Sequence, residues 1–203
     1  AAAANMFGVP LEKIVKGNPE YELRQKGKVA TLALGYQGST GALIAMGALQ
    51  QGLTEEELPE IVSRWRQANK RIVDLWYAVE RAAVETIKTG QPQGINGLIF
   101  AMEGDSSGQY FMTITLPSGR KLYYVKPFLV PNGRGHESIR YWGVNQGKWR
   151  KIETYGGKLV ENIVQAIARD CLAVNIERLE AAGFPVVFHV HDEIVIEVPE
   201  DKA

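Results

Sequence analysis

Apolar residues recur at helical spacing through the first 90 residues of the chain. The pair Asn18-Pro19, a helix-capping residue followed by proline, predicts a helix from 19 to about 35. An Ala-, Leu- and Met-rich stretch favours a shorter helix over 39–51. The capping pattern Thr54 to Glu57 then opens a periodic stretch that ends near residue 89. We expect this stretch to form the longest helix.

The spacing changes to strand-like runs after residue 90. Apolar runs at 110–116 and 122–130 are rich in β-branched and aromatic residues and are broken by Pro-Ser-Gly and Pro-Asn-Gly, which predicts hairpins. A helix is expected over 157–182, followed by apolar runs at 185–190 and 194–198 that predict a terminal hairpin. The order predicts an α+β fold. The residues expected on the buried side of the last helix are Leu159, Ile163, Ile167, Cys171, Val174 and Leu179.

Composition describes an ordinary globular chain of 203 residues, of which 45% are hydrophobic. It excludes disordered, collagen-like and disulfide-stapled classes. Cys171 is the only cysteine, so an internal disulfide and a cysteine-based zinc site are both excluded. No apolar run approaches the ~20 residues that span a bilayer, and the first residues lack the basic region of a signal peptide. We expect a soluble, cytoplasmic protein.

Charge is balanced overall, with 23 basic and 23 acidic side chains, but it is unevenly distributed. Residues 118–160, here called the basic block, hold nine basic and two acidic residues, whereas residues 161–203 hold three basic and nine acidic ones. Tyrosines and tryptophans interleave with the cations of the basic block. This composition is typical of a surface that follows a phosphate backbone, although ordinary solvated hairpins would also fit. The candidate DNA contacts are Arg120, Lys121, Lys148, Arg150 and Lys151.

A pair of cations marks the predicted helix over 19–35. At about 100° per residue, Arg24, Lys28, Thr31 and Gly35 share one stripe of this helix. Arg offers a fork for bidentate contacts and Lys a mobile point charge, so the two can hold a polyphosphate. The alternative is a solvated basic face.

An acidic turn interrupts the predicted terminal hairpin at His191-Asp192-Glu193. Both carboxylates can project from the end of the sheet, and Mg²⁺ binds through one or two carboxylates while sharing other positions with water and phosphates. The alternative is an ordinary polar turn. No Gly, Asn or Pro eases the reversal, and a locally costly turn indicates function.

Both segments resemble motifs of family A DNA polymerases. Arg24-x3-Lys28-x7-Tyr36 resembles motif B, and Val190-His191-Asp192-Glu193 resembles motif C. The segments 3–10 and 154–165 are similar to those that precede these motifs, the second in its phage-type version. The resemblance implies a right-hand polymerase fragment. Fingers helices would occupy 1–90, and the β-rich insert and part of the antiparallel palm 91–203, with the motif C hairpin at 185–199.

The resemblance implies roles for four residues of the motif B helix. Arg24 and Lys28 would hold the triphosphate of an incoming dNTP, and Lys28 would assist proton donation to the leaving pyrophosphate. Tyr36 would lie near the templating base. Leu32 stands where family members usually have Phe or Tyr, a position that influences sugar discrimination. Gln37 stands where the pattern usually has Gly.

The resemblance also implies a two-metal palm site. Asp192 would coordinate two Mg²⁺ ions, Glu193 would support it, and His191 would lie near the primer terminus. The basic block would face primer–template DNA. A two-metal site needs a second aspartate, which the family supplies from motif A, an Asp-bearing strand. None of the other aspartates (Asp74, Asp105, Asp170 and Asp201) follows that pattern.

The expected function is therefore that of a template-directed DNA polymerase, present as a fragment that lacks motif A and the thumb. We expect nucleotidyl transfer only together with the portion that carries motif A. Two alternatives stay open at this stage. One is a non-catalytic nucleic-acid-binding module of a replication protein, and the other is an unrelated Mg²⁺-dependent phosphohydrolase that uses His191, Asp192 and Glu193.

Overall fold

Helices form the first part of the chain and antiparallel strands follow them. The computed structural model describes residues 2–132 and 137–200, so Arg134 of the basic block and Asp201 lie outside the described residues. The α-helices are α1 (Ala2–Phe7), α2 (Leu23–Leu34), α3 (Thr40–Ala45), α4 (Leu58–Ala68), α5 (Lys70–Thr89) and α6 (Gly156–Ala181), with 3₁₀ turns at Leu11–Lys13, Pro19–Glu22 and Leu49–Gln51.

The strands form two antiparallel sheets. The large sheet contains β1 (Gln93–Ile95), β2 (Leu98–Gly104), β3 (Tyr110–Thr115), β4 (Lys121–Pro131), β5 (Glu137–Asn145) and β6 (Lys148–Thr154). Each of its strands pairs with the next one along the chain, so the sheet is a meander with β1 and β6 at its edges. The small sheet is the hairpin of β7 (Val186–Val190) and β8 (Glu193–Ile196). The predicted α+β class is confirmed.

Two of the predicted helices begin and end close to the expected residues. The helix predicted over 19–35 consists of a 3₁₀ turn followed by α2, and the helix predicted over 157–182 is α6. The helix predicted over 39–51 is shorter than expected. It ends at Ala45 because Gly47, two residues later, has a left-handed backbone (φ 86°) that an α-helix cannot contain.

The single long helix predicted over 54–89 is wrong, because two helices occupy this stretch. The capping pattern does form, with the Thr54 amide donating to Glu57 Oε2 at 2.8 Å. Asn69 separates α4 from α5 with a non-helical backbone (φ −119°, ψ 40°). Its side-chain Nδ2 donates to the carbonyl of Trp65 at 2.8 Å, so an Asn within the periodic stretch ends the first helix. The longest helix is α6, with 26 residues.

The main core lies between the helices and one face of the six-stranded sheet. Phe100 and Met112 from this face belong to the same buried cluster as Trp76 and Val79 of α5. Trp76 also stacks on Trp65 of α4, with ring centroids 5.9 Å apart and planes only 4° apart. Side chains alternate between faces of a strand, so the sheet's opposite face points away from this core.

The far end of α6 is more exposed than predicted. Leu159 and Ile163 are buried as expected, but Cys171 and Val174 are exposed, so their predicted burial is wrong. β7 packs on α6, yet Val187, Phe188 and Val190 of the hairpin are also exposed. Helical periodicity identifies an apolar stripe, whereas burial requires another element to cover it.

No helix among residues 2–132 and 137–200 is long and apolar enough to cross a membrane.

An ion pair joins the turn between β3 and β4 to α6. Asp170 Oδ1 accepts from Arg120 Nε at 2.7 Å, and Asp170 Oδ2 accepts from Ser118 Oγ at 2.7 Å. Arg120 also donates to the carbonyl of Ala166 at 2.8 Å. The hydrogen bond from Ser118 and the neighbouring Arg120 lower the pKa of the Asp170 carboxyl.

We predict that the Asp170→Asn variant loses less stability than the wild type as the pH falls. A lowered pKa in the folded state stabilises the protein above the ordinary aspartate value of about 3.9, and this stabilisation is lost as pH falls through the lowered pKa. Melting temperatures measured from pH 6 to pH 3 should therefore fall less steeply for the variant. Asp74→Asn, an exposed carboxylate on α5, is the control. Parallel melting curves for Asp170→Asn and the wild type would contradict the prediction.

Candidate active site

A cavity of about 470 Å³ lies against the exposed side of α2. Arg24, Lys28 and Thr31 line it together with Leu32, whose side chain is 51% exposed. The predicted stripe of cations is therefore confirmed, since one turn of helix brings both charges to the same cavity. Residues from α1 and the following segment complete the lining: Ala2, Ala3, Leu11 and Ile14.

Gly27 lets α1 lie directly against α2. A Cβ placed on Gly27 would come within 2.6 Å of the Ala3 Cβ and within 2.9 Å of the Ala3 backbone. Distances this short do not occur between real atoms, so the contact requires glycine. Gly27 also lines the cavity, and its carbonyl accepts from Thr31 Oγ1 at 2.9 Å. The close approach of the two helices thus forms part of the cavity wall.

Tyr36 lies at the end of α2, in a contact that we call the helix junction, formed by Gly35 and Gln37 with Trp76, Gly156 and Gly157. Trp76 Nε1 donates to the Gly35 carbonyl at 3.0 Å, and the Gly157 amide donates to Gln37 Oε1 at 2.7 Å. Tyr36 is half-buried between these bonds.

The backbone of the helix junction explains the unusual Gln37. Gln37 has a left-handed φ of 67°, a conformation that favours glycine, and the motif B pattern usually has Gly there. The Gln37 side chain supplies the acceptor that the Gly157 amide uses. A Cβ on Gly157 would lie 2.4 Å from the Tyr36 carbonyl oxygen, so the start of α6 also needs glycine.

The acidic turn lies where the sequence predicts it. Val190 pairs with Glu193, which leaves His191 and Asp192 as a two-residue turn. His191 has a left-handed φ of 52°, a backbone conformation that glycine adopts more readily than residues with a side chain. His191, Asp192 and Glu193 are all exposed at the end of the hairpin.

The donor set at this turn fits part of a magnesium site. Adjacent carboxylates from Asp192 and Glu193 suit Mg²⁺, which takes one or two protein carboxylates. No group of three or more His, Cys, Asp or Glu residues that could hold a metal occurs within 2–132 and 137–200.

Two of the five candidate DNA contacts are engaged in ion pairs within the protein. Arg120 binds Asp170, as described above, and Lys121 Nζ lies 2.7 Å from Glu103 Oε1. Hydrogen bonds from Lys121 and Thr113 stabilise the carboxylate form of Glu103 and lower the pKa of its carboxyl. Lys148 and Arg150 of β6 make no ion pair with the residues that the structure describes.

Lys151 is held differently, by aromatic rings. Its Nζ lies 5.4 Å from the ring centroid of Phe128 and 5.5 Å from that of Trp142, which are cation–π contacts. Sequence reasoning found the cations of the basic block but missed this arrangement. The available signal was the alternation of side chains along β5 and β6. Once the two strands pair, it places Trp142 and Lys151 on the same face of the sheet.

One known relative covers the whole chain. The chain is 57% identical over 205 aligned positions to a DNA polymerase of Bacillus phage SP02, and all of its residues are aligned. It spans about 30% of the length of that polymerase. No protein-family model matches the chain. No solved structure matches it either, so the right-hand architecture and the division into fingers and palm stay predictions.

We predict that Gly27→Ala disturbs the cavity wall. The added methyl group would overlap the Ala3 backbone, and overpacking of this kind typically costs about 1–3 kcal/mol. Denaturant unfolding should show the loss. Gly41→Ala is the matched control, because a Cβ at this helical glycine meets nothing within 4 Å, and its stability should stay equal or rise slightly. Equal stabilities for the two variants would refute the close approach of α1.

Proposed function

We propose that the chain is part of a template-directed DNA polymerase of family A. The observation that carries the proposal is the 57% identity, over the full chain, to the DNA polymerase of phage SP02. The motif B and motif C resemblances support the same reading. In this proposal the chain supplies fingers and part of the palm, and another portion of the enzyme supplies motif A and the thumb. Nucleotides from dNTPs would be added to a primer 3′-hydroxyl.

The cavity beside α2 is the proposed site for the triphosphate of the incoming nucleotide. Arg24 and Lys28 line it from one helix face, and both are exposed, so their charges are available to phosphate oxygens. Lys28 is also the proposed proton donor to the leaving pyrophosphate. The backbone contacts on both sides of Tyr36 suit the role of a fixed surface beside the nascent base pair. Leu32 offers an aliphatic side chain where an aromatic ring is usual.

The acidic hairpin is the proposed contribution of this chain to the metal site. Asp192 would hold Mg²⁺, with Glu193 in support, and His191 would lie near the primer terminus. The two ions, when bound, would stabilise the negative charge that develops on the attacking and leaving oxygens. Asp192 alone does not complete such a site, so the second aspartate is assigned to the portion with motif A.

Primer–template DNA is the proposed macromolecular partner of the basic block. Contacts to the phosphate backbone are independent of sequence and weaken as salt is added. Lys148 and Arg150, which make no ion pair with described residues, suit this role better than Arg120 and Lys121. The two alternatives are the non-catalytic module and the phosphohydrolase, and neither is favoured by the phage relative or by a further ligand cluster within residues 2–132 and 137–200.

We predict that Lys28→Ala impairs nucleotide use. A lost charge-assisted contact to phosphate corresponds to about 1.5–3 kcal/mol, so kcat/KM for dNTP should fall roughly 10- to 100-fold. Primer extension would be measured with the chain joined to the remaining portions of the phage SP02 polymerase. Lys26→Ala, on the same helix but outside the cavity lining, should retain activity. An equal loss in both variants would favour a solvated basic face.

We predict that Asp192→Ala in the same joined enzyme abolishes incorporation and leaves DNA binding intact, because only the metal ligand is removed. Glu197→Ala, an exposed carboxylate beyond β8, is the control and should remain active. Turnover retained by Asp192→Ala would exclude Asp192 from the metal site. Robust extension by the 203 residues alone would contradict the assignment of the second aspartate to another portion.

A further inference from the structure

The segment 35–38, which connects α2 to α3, accepts hydrogen bonds from two other helices through its backbone. Trp76 of α5 donates from Nε1 to the Gly35 carbonyl at 3.0 Å. Arg66 of α4 donates from Nη2 to the Gly38 carbonyl at 3.1 Å. Both bonds end on carbonyl oxygens, so they hold the path of the chain on either side of its two central residues, whatever side chains those two residues carry.

A third bond to this segment depends on a side chain. The Gly157 amide, in the first turn of α6, donates to Gln37 Oε1 at 2.7 Å. The backbones also touch here, because a Cβ on Gly157 would lie 2.4 Å from the Tyr36 carbonyl oxygen and 2.4 Å from the Gln37 Cβ. The start of α6 is thus bonded to the residue that directly follows Tyr36.

Gln37 supplies this acceptor from a backbone conformation that glycine adopts more readily. Its φ is 67°, and glycine is the usual residue at this position of the motif B pattern. Glycine would relieve the backbone, but it would leave the buried Gly157 amide without the side-chain acceptor that it now has. A residue that is locally unfavourable and supplies a specific bond indicates a function.

Tyr36 lies between the bonds to Gly35 and Gln37 and is half-buried. Under the proposed polymerase function, on which this inference rests, its ring lies near the templating base and the nascent pair. An enzyme discriminates between substrates by the difference in their transition-state binding, and this difference depends on how precisely the surrounding groups are placed. A ring held in one position therefore admits a mismatched pair less readily than a ring that can shift.

We propose that Gln37 is a positioning residue, which holds Tyr36 in place through the Gly157 amide and thereby raises the discrimination between matched and mismatched dNTPs. Gln37 itself contacts neither the nucleotide nor the metal in this proposal. Arg24 and Lys28 would hold the triphosphate of every dNTP alike, so the Gln37 bond concerns the choice of base and not the binding of phosphate.

The first test examines the contact in the 203-residue chain, without DNA, nucleotide or metal. Three variants separate the bond from the backbone. Gln37→Ala keeps a side chain at the left-handed position but removes the acceptor, and Gln37→Gly removes the acceptor while relieving the backbone, so it keeps the test open if Gln37→Ala fails to fold. Gln37→Glu keeps an acceptor, which is favoured near the start of a helix.

Two measurements on these variants follow the bond and the ring. Hydrogen exchange of the Gly157 amide should be faster in Gln37→Ala and Gln37→Gly than in the wild type or Gln37→Glu. With 3-fluorotyrosine in place of the eight tyrosines, the ¹⁹F resonance of Tyr36 is assigned by its loss in Tyr36→Phe. This resonance should shift or broaden in Gln37→Ala and Gln37→Gly but stay close to its wild-type position in Gln37→Glu. Wild-type exchange, or an unchanged Tyr36 resonance, in Gln37→Ala and Gln37→Gly would overturn the proposal.

The second test measures kcat/KM for matched and mismatched dNTPs, with the chain joined to the remaining portions of the phage SP02 polymerase. The loss of one hydrogen bond should lower the ratio of matched to mismatched kcat/KM roughly 2- to 10-fold in Gln37→Ala and Gln37→Gly. The value for the matched dNTP alone should change less, and Gln37→Glu should restore the ratio. A wild-type ratio in Gln37→Ala and Gln37→Gly, or an equal loss in Gln37→Glu, would contradict the positioning role.

A control variant separates positioning from stability. Thr113 of β3 donates from Oγ1 to Glu103 Oε1 at 2.9 Å, so Thr113→Val also loses one side-chain hydrogen bond. We expect Thr113→Val to lower the melting temperature and to keep the wild-type ratio, and an equal loss of discrimination in this variant would overturn the proposal. If the joined wild-type enzyme extends no primer while the Tyr36 resonance responds to Gln37→Ala as expected, the proposed function fails and the contact between Gln37 and Tyr36 stands.

Discussion

The helix junction is the contact on which the arrangement of the candidate site depends. Two glycines at the start of α6 lie against the backbone of α2 and α5 so closely that any side chain there would collide with carbonyl oxygens. Trp76 and Gln37 then supply the hydrogen bonds that this close backbone packing would otherwise leave unmade. Because α2 carries the cationic cavity and α6 leads to the acidic hairpin, this close contact links the two elements that the proposed chemistry needs.

The parts of the fold that sequence reasoning predicts correctly are those set by local signals. The cations one turn apart on α2 share a cavity because helical geometry leaves no other outcome, and the apolar runs around His191 can pair only if the chain reverses there. Asn69 carried a weaker signal. Asn is tolerated within helices as well as at their ends, and only the bond from its side chain to Trp65 makes it a terminator here.

Other features depend on contacts that the sequence does not reveal. The apolar stripe of α6 predicts burial of Cys171 and Val174, but burial depends on what lies opposite, and the described residues place nothing large there. The net charge of the basic block likewise follows from its composition and does not show which of its cations are paired within the protein. Arg120 and Lys121 are held by carboxylates from distant segments, whereas Lys148 and Arg150 are not, and the sequence alone does not distinguish the two pairs.

The meander topology has a consequence for how the chain folds and varies. Every strand of the large sheet pairs with its neighbour in sequence, so the sheet assembles from successive hairpins and needs few contacts between distant residues. The helices that enter and leave it, α5 and α6, pack against each other. The strands β1 to β6 therefore leave the helical part of the fold at α5 and rejoin it at α6, with one face of the sheet packed on α5. A change of length in a hairpin turn that lies away from α5 would therefore alter the sheet locally and leave the two packed helices in place.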